Sequence, residues 1–284
     1  MSDYNAKEDK IIEMIESLIR NGVDAELIIS RFESKIFDLK KPELYFWFAK
    51  NVKGIDIESH EQAVIDKRDP EWNYKFAKNV KGSDINAHGQ VIINSGSLEW
   101  NYKFARYIEG ADVEAHERVI IRNGDPCYNY MFARYIEGAD VRAHGQAIIN
   151  SGDLEWNFNF AKNVRGSDVK AHGQVIKDSG DPEWNYKFAK YIDGIDTKSN
   201  GHGEAVINSC DLEWNYKFAR DIIGADVRAH EQVIINNGDP EWNYKFARYI
   251  EGADVRAHGQ AIINSGDLEW NYKFAKDIIG ADVR

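Results

Sequence analysis

The chain has 284 residues and a net charge of −11, and 43% of its residues are hydrophobic. This composition is sufficient for a folded core, and the negative charge argues against nonspecific binding to nucleic acid. The sequence contains no long apolar run and no signal-peptide pattern, so we expect a soluble cytoplasmic protein that does not enter a membrane.

Residues 1–40 are predicted to form two amphipathic helices, over 7–20 and 24–37, joined by a turn at Asn21-Gly22. Apolar residues recur at helical spacing in both segments. The segment differs from the rest of the chain, as terminal repeats of an array often do. We therefore interpret residues 1–40 as a degenerate helical repeat that caps the array.

One 28-residue unit recurs from Lys41 onward and is clearest at 239–266. We number its positions 1–28 from Asp239. A period of this length is typical of a solenoid. The sequence thus predicts one all-α domain over 41–284, with eight full repeats and a terminal half-repeat that begins at Asp267. The full repeats begin at Lys41, Asp69, Ser97, Asp125, Asp153, Asp181, Asp211 and Asp239.

Each unit is predicted to contain two short helices of about 11 residues. Asp239 can cap the first helix, and Gly252 is expected to end it. Asp254 can cap the second helix, whose apolar face is expected to include Ile262 and Ile263, with His258 at the edge of that face. Two extra residues in 197–201 indicate a longer turn in the sixth repeat, either a tolerated insertion or a contact loop.

Three residue types recur once per repeat and are expected to have structural roles. A zinc ion needs three or four converging ligands, whereas the histidines recur one repeat apart, so we expect neither a metal nor another cofactor. Asn at position 5 is expected on the buried side, bonded to the backbone of an adjacent turn. Trp at position 4 is expected in the core. The histidines are His60, His88, His116, His144, His172, His202, His230 and His258.

The paired short helices, with glycine turns and Trp, Phe and Ala at helical spacing, resemble an α-solenoid of the HEAT or tetratricopeptide type. The 28-residue unit is shorter than a tetratricopeptide repeat and lacks its W-x2-L-G-x2-Y signature. The resemblance implies a curved rod whose concave side, lined by second helices, binds another macromolecule.

No motif for a nucleophile, a phosphate loop or a metal site occurs, and every candidate group is copied in each repeat. Because an active site needs one asymmetric set of residues, we expect a non-enzymatic scaffold that binds another protein or a peptide. One alternative is an acidic inhibitor that mimics nucleic acid, although the charge density of the array is well below that of duplex DNA. Another is nucleic-acid binding through the basic residues described next, which the net charge disfavours.

Positions 18, 22 and 26 of the second helix lie opposite its apolar stripe and must face solvent. Position 18 is Glu58, Asn86 and Glu114 in the early repeats and basic in most later ones. We expect either a plain solvated face or a surface that binds an acidic segment through Arg and Gln side chains. The expected contact residues are Arg142, Gln146, Asn150, Lys170, Gln174, Arg228, Gln232, Asn236, Arg256, Gln260 and Asn264. The next candidates, on the first helices, are Lys187, Lys190, Lys217 and Arg220.

The terminal half-repeat keeps the apolar residues of an interior repeat. Trp270, Tyr272 and Phe274 are therefore expected to form an exposed apolar surface. The sequence predicts that this surface pairs with a second copy of the chain, as a homodimer, or with another protein.

Overall fold

The computed structural model describes residues 4–192 and 201–278, and these residues form nineteen α-helices and no strand. The chain divides into two compact units, Met1–Ala139 and Asp140–Arg284, each of which is described by itself. The prediction of an all-α array of helical repeats is confirmed. The helices of the first unit are α1 Tyr4–Arg20, α2 Ala25–Leu39, α3 Pro42–Asn51, α4 Ile57–Asp66, α5 Pro70–Asn79, α6 Ile85–Ser95, α7 Leu98–Tyr107, α8 Val113–Asn123 and α9 Pro126–Tyr135.

The second unit repeats the same pattern of a ten-residue first helix and a slightly longer second helix. One exception is α14, which has eight residues. The extra residues predicted as a longer turn, 197–200, lie outside the described residues. The helices are α10 Val141–Ser151, α11 Leu154–Asn163, α12 Val169–Ser179, α13 Pro182–Tyr191, α14 His202–Ser209, α15 Leu212–Asp221, α16 Val227–Asn237, α17 Pro240–Tyr249, α18 Val255–Ser265 and α19 Leu268–Asp277.

Within each unit, consecutive first helices pack side by side, as α3, α5 and α7 do. These three helices also pack against the second helices of their own repeats, α4, α6 and α8. Such short helices are marginal alone in water, so these contacts hold them. None of the described helices is long and apolar enough to cross a membrane.

The predicted N-terminal helices are present, and they contribute to the first core cluster. Asp24 caps α2 by accepting a hydrogen bond from the Glu26 amide. Phe32 and Ile36 are buried and belong to one cluster with Phe48 of the first repeat. The apolar faces of 1–40 therefore pack on the array, as a capping repeat requires.

The predicted Asp caps of both helices are confirmed, but the first helix ends earlier than the Gly252 cap predicted from the sequence. The Asp239 carboxylate accepts a hydrogen bond from the Trp242 amide at 3.0 Å. The helix ends at Tyr249, and Ile250 has an extended backbone with φ of −103°. Gly252 lies in the following turn with φ of +79°, a backbone conformation that favours glycine. Glycine is therefore needed for the turn and does not end the helix.

The core of each repeat centres on Phe at position 8 and on Ile or Val at position 24. Phe246 and Ile262 are completely buried. Ile263, predicted to share the buried face, is 46% exposed, and Trp242 is only half-buried at the margin of the cluster. The apolar stripe is thus narrower than predicted.

The last position of each repeat has a left-handed backbone, which favours glycine. Cys210 occupies this position with φ of 56°, where Gly180 has φ of 69°. Because a side chain in this conformation costs stability, Cys210→Gly is expected to raise the free energy of unfolding by up to about 1 kcal/mol. Urea denaturation measures the change. Gly180→Ala should lower stability by a similar amount, and a destabilised Cys210→Gly variant would contradict the prediction.

Candidate binding surfaces

Six repeats contain a buried link between the Asn of the first helix and the His of the second. In the fifth repeat, Asn157 donates from Nδ2 to the carbonyl oxygens of Ile148 at 3.1 Å and Asp153 at 2.7 Å. Its Oδ1 lies 2.7 Å from His172 Nδ1. Both amide hydrogens are used, so Oδ1 must accept and His172 Nδ1 must carry the proton.

This arrangement confirms that Asn bonds the backbone of the preceding repeat, because the Ile148 carbonyl lies at the end of the preceding second helix. It also corrects the prediction that His lies at the edge of the buried face: His172 is completely buried. Burial lowers the pKa of His172 from 6.5 to about 4, so the ring is neutral at pH 7.

The other ring nitrogen of each histidine, Nε2, faces the residue at position 21 of the preceding repeat. This residue is either Glu or Gly. Glu61 Oε1 lies 3.1 Å from His88 Nε2 and accepts the Asp84 amide hydrogen. Where Gly145 occupies the position, His172 Nε2 has no hydrogen-bond partner in the described part of the chain. A Cβ on Gly145 would lie 3.3 Å from that nitrogen, so there is little room for a ligand.

The Glu61–His88 contact requires a shared proton. His88 Nδ1 donates to Asn73 Oδ1, so a neutral ring leaves Nε2 as a bare acceptor facing a carboxylate oxygen. Burial raises the pKa of Glu61 and lowers that of His88 to about 4.

These histidines hold helices together inside the repeats, where a partner cannot reach them. Among the described residues, no group of three or more His, Cys, Asp or Glu side chains could hold a metal ion. Candidate sites must therefore be sought on the exposed faces.

The predicted contact residues of the second helices all lie on the surface. We call positions 18, 22 and 26 of α10, α12, α16 and α18 the amide ridge; α10 packs beside α12, and α16 beside α18. Every one of the eleven predicted residues is exposed. They are Arg142, Gln146, Asn150, Lys170, Gln174, Arg228, Gln232, Asn236, Arg256, Gln260 and Asn264.

Within the amide ridge, Gln at position 22 bonds to position 26 one turn later. Gln146 Nε2 donates to Asn150 Oδ1 at 2.8 Å, and Gln260 makes the same bond to Asn264 at 2.9 Å. Each pair leaves the Gln carbonyl oxygen and the Asn amide hydrogens directed to solvent. The ridge therefore presents donors and acceptors in a repeated arrangement.

The basic residues at position 18 are not neutralised within the protein. No carboxylate lies within ion-pair distance of Arg142, Arg228 or Arg256 in the described residues. In the first unit the same position carries Glu58 and Glu114, and Glu114 pairs with Arg118 at 2.7 Å. The positive charge predicted for the later repeats is thus available at the surface.

The alternative candidates on the first helices of the second unit are already paired. Lys187 and Lys217 contact Glu183 and Glu213 at 2.7 and 2.6 Å. Both remaining candidates contact one carboxylate, that of Asp221: Lys190 at 3.0 Å and Arg220 at 2.6 Å. The hydrogen bonds from Arg220 hold the pKa of Asp221 well below its usual range.

The first helices of the first unit carry an unpaired basic strip that was not predicted from the sequence. Lys50, Lys78 and Arg106 occupy position 10 of α3, α5 and α7 and are exposed. The sequence contains a signal for these unpaired cations. Position 11 is Asp221 in the seventh repeat but Tyr107 and Tyr135 in the third and fourth, and a tyrosine cannot form an ion pair with a neighbouring cation.

The predicted self-association residues are only partly on the surface. Tyr272 is 68% exposed, and Trp270 is half-buried. Phe274 is 5% exposed and packs with Ile262, so it does not belong to the exposed surface as predicted. It occupies the core position of its helix. Self-association through the remaining residues stays a prediction.

Comparison with known proteins adds no family to this description. No protein-family model, no curated protein and no solved structure matches the chain.

Proposed function

We propose that the protein is a non-enzymatic scaffold that binds an extended segment of another protein along the amide ridge. The observation that carries the proposal is the repetition of one exposed set, a free cation followed by a hydrogen-bonded Gln–Asn pair, on α10, α16 and α18 of one unit. Arg142, Gln146 and Asn150 of α10 are one such set, and Arg256, Gln260 and Asn264 of α18 are another.

The chemistry of the ridge suits a peptide backbone. Each Gln–Asn pair offers one carbonyl oxygen and amide hydrogens, which match the N–H and C=O groups of an extended chain. Adjacent helices pack roughly 9 Å apart, close to the length of three extended residues at about 3.3 Å each. The ridge can therefore contact every third residue of a bound segment.

The cations favour acidic segments. An exposed guanidinium binds a carboxylate through two parallel hydrogen bonds, and such pairs select the partner as well as bind it. The buried histidines support the non-enzymatic part of the proposal, because a catalytic group must be reachable by its substrate.

Reversing the charge of Arg142, Arg228 and Arg256 to Glu is expected to weaken binding of an acidic peptide at least about tenfold, most strongly at low salt. The probe is a fluorescently labelled 12-residue peptide with Glu at every third position, measured by anisotropy with the full chain. Folding should be unchanged, because exposed substitutions rarely alter stability by more than about 0.5 kcal/mol each.

The matched control reverses Arg165, Lys245 and Lys273, which change the net charge equally but lie outside the amide ridge. If the control variant loses as much peptide affinity as the ridge variant, the loss comes from the net charge of the protein and not from contacts at the ridge. If the ridge variant binds the peptide as tightly as the parent protein, the ridge is not the site.

A further inference from the structure

The first unit carries an exposed set of cations whose charge is not balanced within the protein. We call Lys50, Lys78, Arg106, Tyr107 and Tyr135 the cation–tyrosine strip. The three cations hold the same position on the consecutive packed helices α3, α5 and α7. In the described part of the chain, no carboxylate lies within ion-pair distance of any of them.

Tyrosines hold two of these cations, Lys78 and Arg106, in place. Lys78 donates to the Tyr74 hydroxyl at 3.0 Å and lies 5.2 Å from the centre of the Tyr107 ring. The Arg106 guanidinium lies 5.2 Å from the Tyr107 ring and 4.9 Å from the Tyr135 ring. Cation–π attraction fixes the two side chains without neutralising them. Less side-chain freedom is then lost when an anion binds.

Two repeats of the second unit have Asp in place of this tyrosine, and in both the Asp contacts the neighbouring cations. At the position of Tyr107, the seventh repeat has Asp221, which contacts both Lys190 and Arg220. The ninth repeat has Asp277, which lies 3.2 Å from Arg248. Tyr at position 11 therefore leaves the cations available, whereas Asp at the same position occupies them.

The opposite face of the first unit cannot serve the same ligand. Its second helices carry Glu58 and Glu114 at the positions where the second unit has arginine. An anionic ligand is therefore attracted to the first helices in this unit and repelled by the second helices.

We propose that the cation–tyrosine strip binds an acidic, extended segment of a partner protein, with one carboxylate at about every third residue. This inference rests on the proposed scaffold function and assigns it a second surface and a partner chemistry. Cations on adjacent helices lie roughly 9 Å apart, which three extended residues span.

The same spacing disfavours nucleic acid. A DNA strand carries one phosphate per about 3.4 Å of helix axis, so about two of every three phosphates would remain unbalanced beside a chain of net charge −11. The tyrosine rings also lie against the cations, which restricts stacking with bases.

The test measures binding of the labelled peptide with Glu at every third position, of its Gln counterpart, and of a 12-nucleotide oligothymidylate. Lys78→Glu with Arg106→Glu, introduced into a full chain whose amide ridge is already reversed, is expected to weaken Glu-peptide binding at least about tenfold. Tyr107→Asp with Tyr135→Asp, which copies the residue of the seventh repeat, should weaken it about as much, because the cations become paired internally.

The matched control is Lys75→Glu with Lys103→Glu, on the same helices but already paired with Glu71 and Glu99 at 2.6 and 2.5 Å. It should change binding less than about threefold. Control and strip variants with equal effects, or tighter binding of the oligothymidylate through Lys78 and Arg106, would overturn the inference.

The two proposals fail separately. If reversal of the amide ridge weakens peptide binding and reversal of the strip does not, the scaffold function stands and the strip inference is wrong. If reversal of the ridge and the strip together leaves peptide binding unchanged, both are wrong.

Discussion

Acidification from pH 7.5 to pH 5.5 is expected to unfold much of the array. The histidines that are buried in the repeats are neutral, and burial lowers their pKa from 6.5 to about 4. The unfolded chain therefore binds protons at a higher pH than the folded chain, and stability is lost as pH falls below about 6.5. The histidines with this shift are His88, His116, His144, His172, His202, His230 and His258.

The size of the effect follows from linkage. A histidine whose pKa falls from 6.5 to about 4 on folding costs about 1.4 kcal/mol of stability at pH 5.5. Seven such residues cost on the order of 10 kcal/mol, which is comparable to the total stability of a typical domain. Urea denaturation followed by circular dichroism at several pH values measures the loss.

The overall charge works in the opposite direction. The chain has a net charge of −11 at pH 7, so acidification first reduces its self-repulsion and would stabilise a protein without buried histidines. A urea midpoint at pH 5.5 equal to that at pH 7.5 would show that the histidines are not buried in neutral form.

Replacing Asn157 by Asp is expected to reduce the free energy of unfolding by about 4 kcal/mol or more at pH 7.5. The substitution keeps the size of the side chain and replaces the donor Nδ2 with an oxygen. That oxygen would face the carbonyl groups of Ile148 and Asp153, now at 3.1 and 2.7 Å from Nδ2. Each unsatisfied buried acceptor costs about 1–3 kcal/mol, and burying the carboxyl group adds to this.

The pH dependence of this variant has a defined sign. Facing two carbonyl oxygens, the new carboxyl group has a folded-state pKa raised above its unfolded value, so protonation favours the folded state. The stability difference between the parent protein and Asn157→Asp should therefore shrink as pH falls from 7.5 to 6. The control is Asn159→Asp on the same helix, expected within about 0.5 kcal/mol of the parent. Asn159 is half-buried, and its side chain makes no hydrogen bond in the described part of the chain.

The helical array could be predicted from the sequence because its signals are local. The Asp caps, the period of 28 and the apolar spacing all lie within one repeat, and Asn at a buried helical angle must bond to backbone. The position of His258 could not be predicted from its own helix. It is placed at the centre of the core by Asn243, which lies 15 residues away on the neighbouring helix.

The candidate surfaces were predicted in part. The exposure of Arg142 and Gln146 follows from helical periodicity and was predicted. Whether a cation is free was not predictable, since it depends on contacts between neighbouring repeats: Lys190 is neutralised by Asp221, 31 residues further along the chain, whereas Lys78 rests on Tyr107.

The most direct test of the scaffold function is photo-cross-linking of the full chain to the acidic 12-residue peptide carrying a benzophenone group, followed by mass spectrometry. The proposed function predicts cross-links on the exposed positions of α10, α12, α16 and α18, and the further inference predicts a second group on α5 and α7. Excess unlabelled peptide should remove both groups, and the Gln peptide should produce neither. Cross-links distributed evenly over the surface, or confined to helices outside these two sets, would contradict the assignment of a partner-binding surface to these repeats.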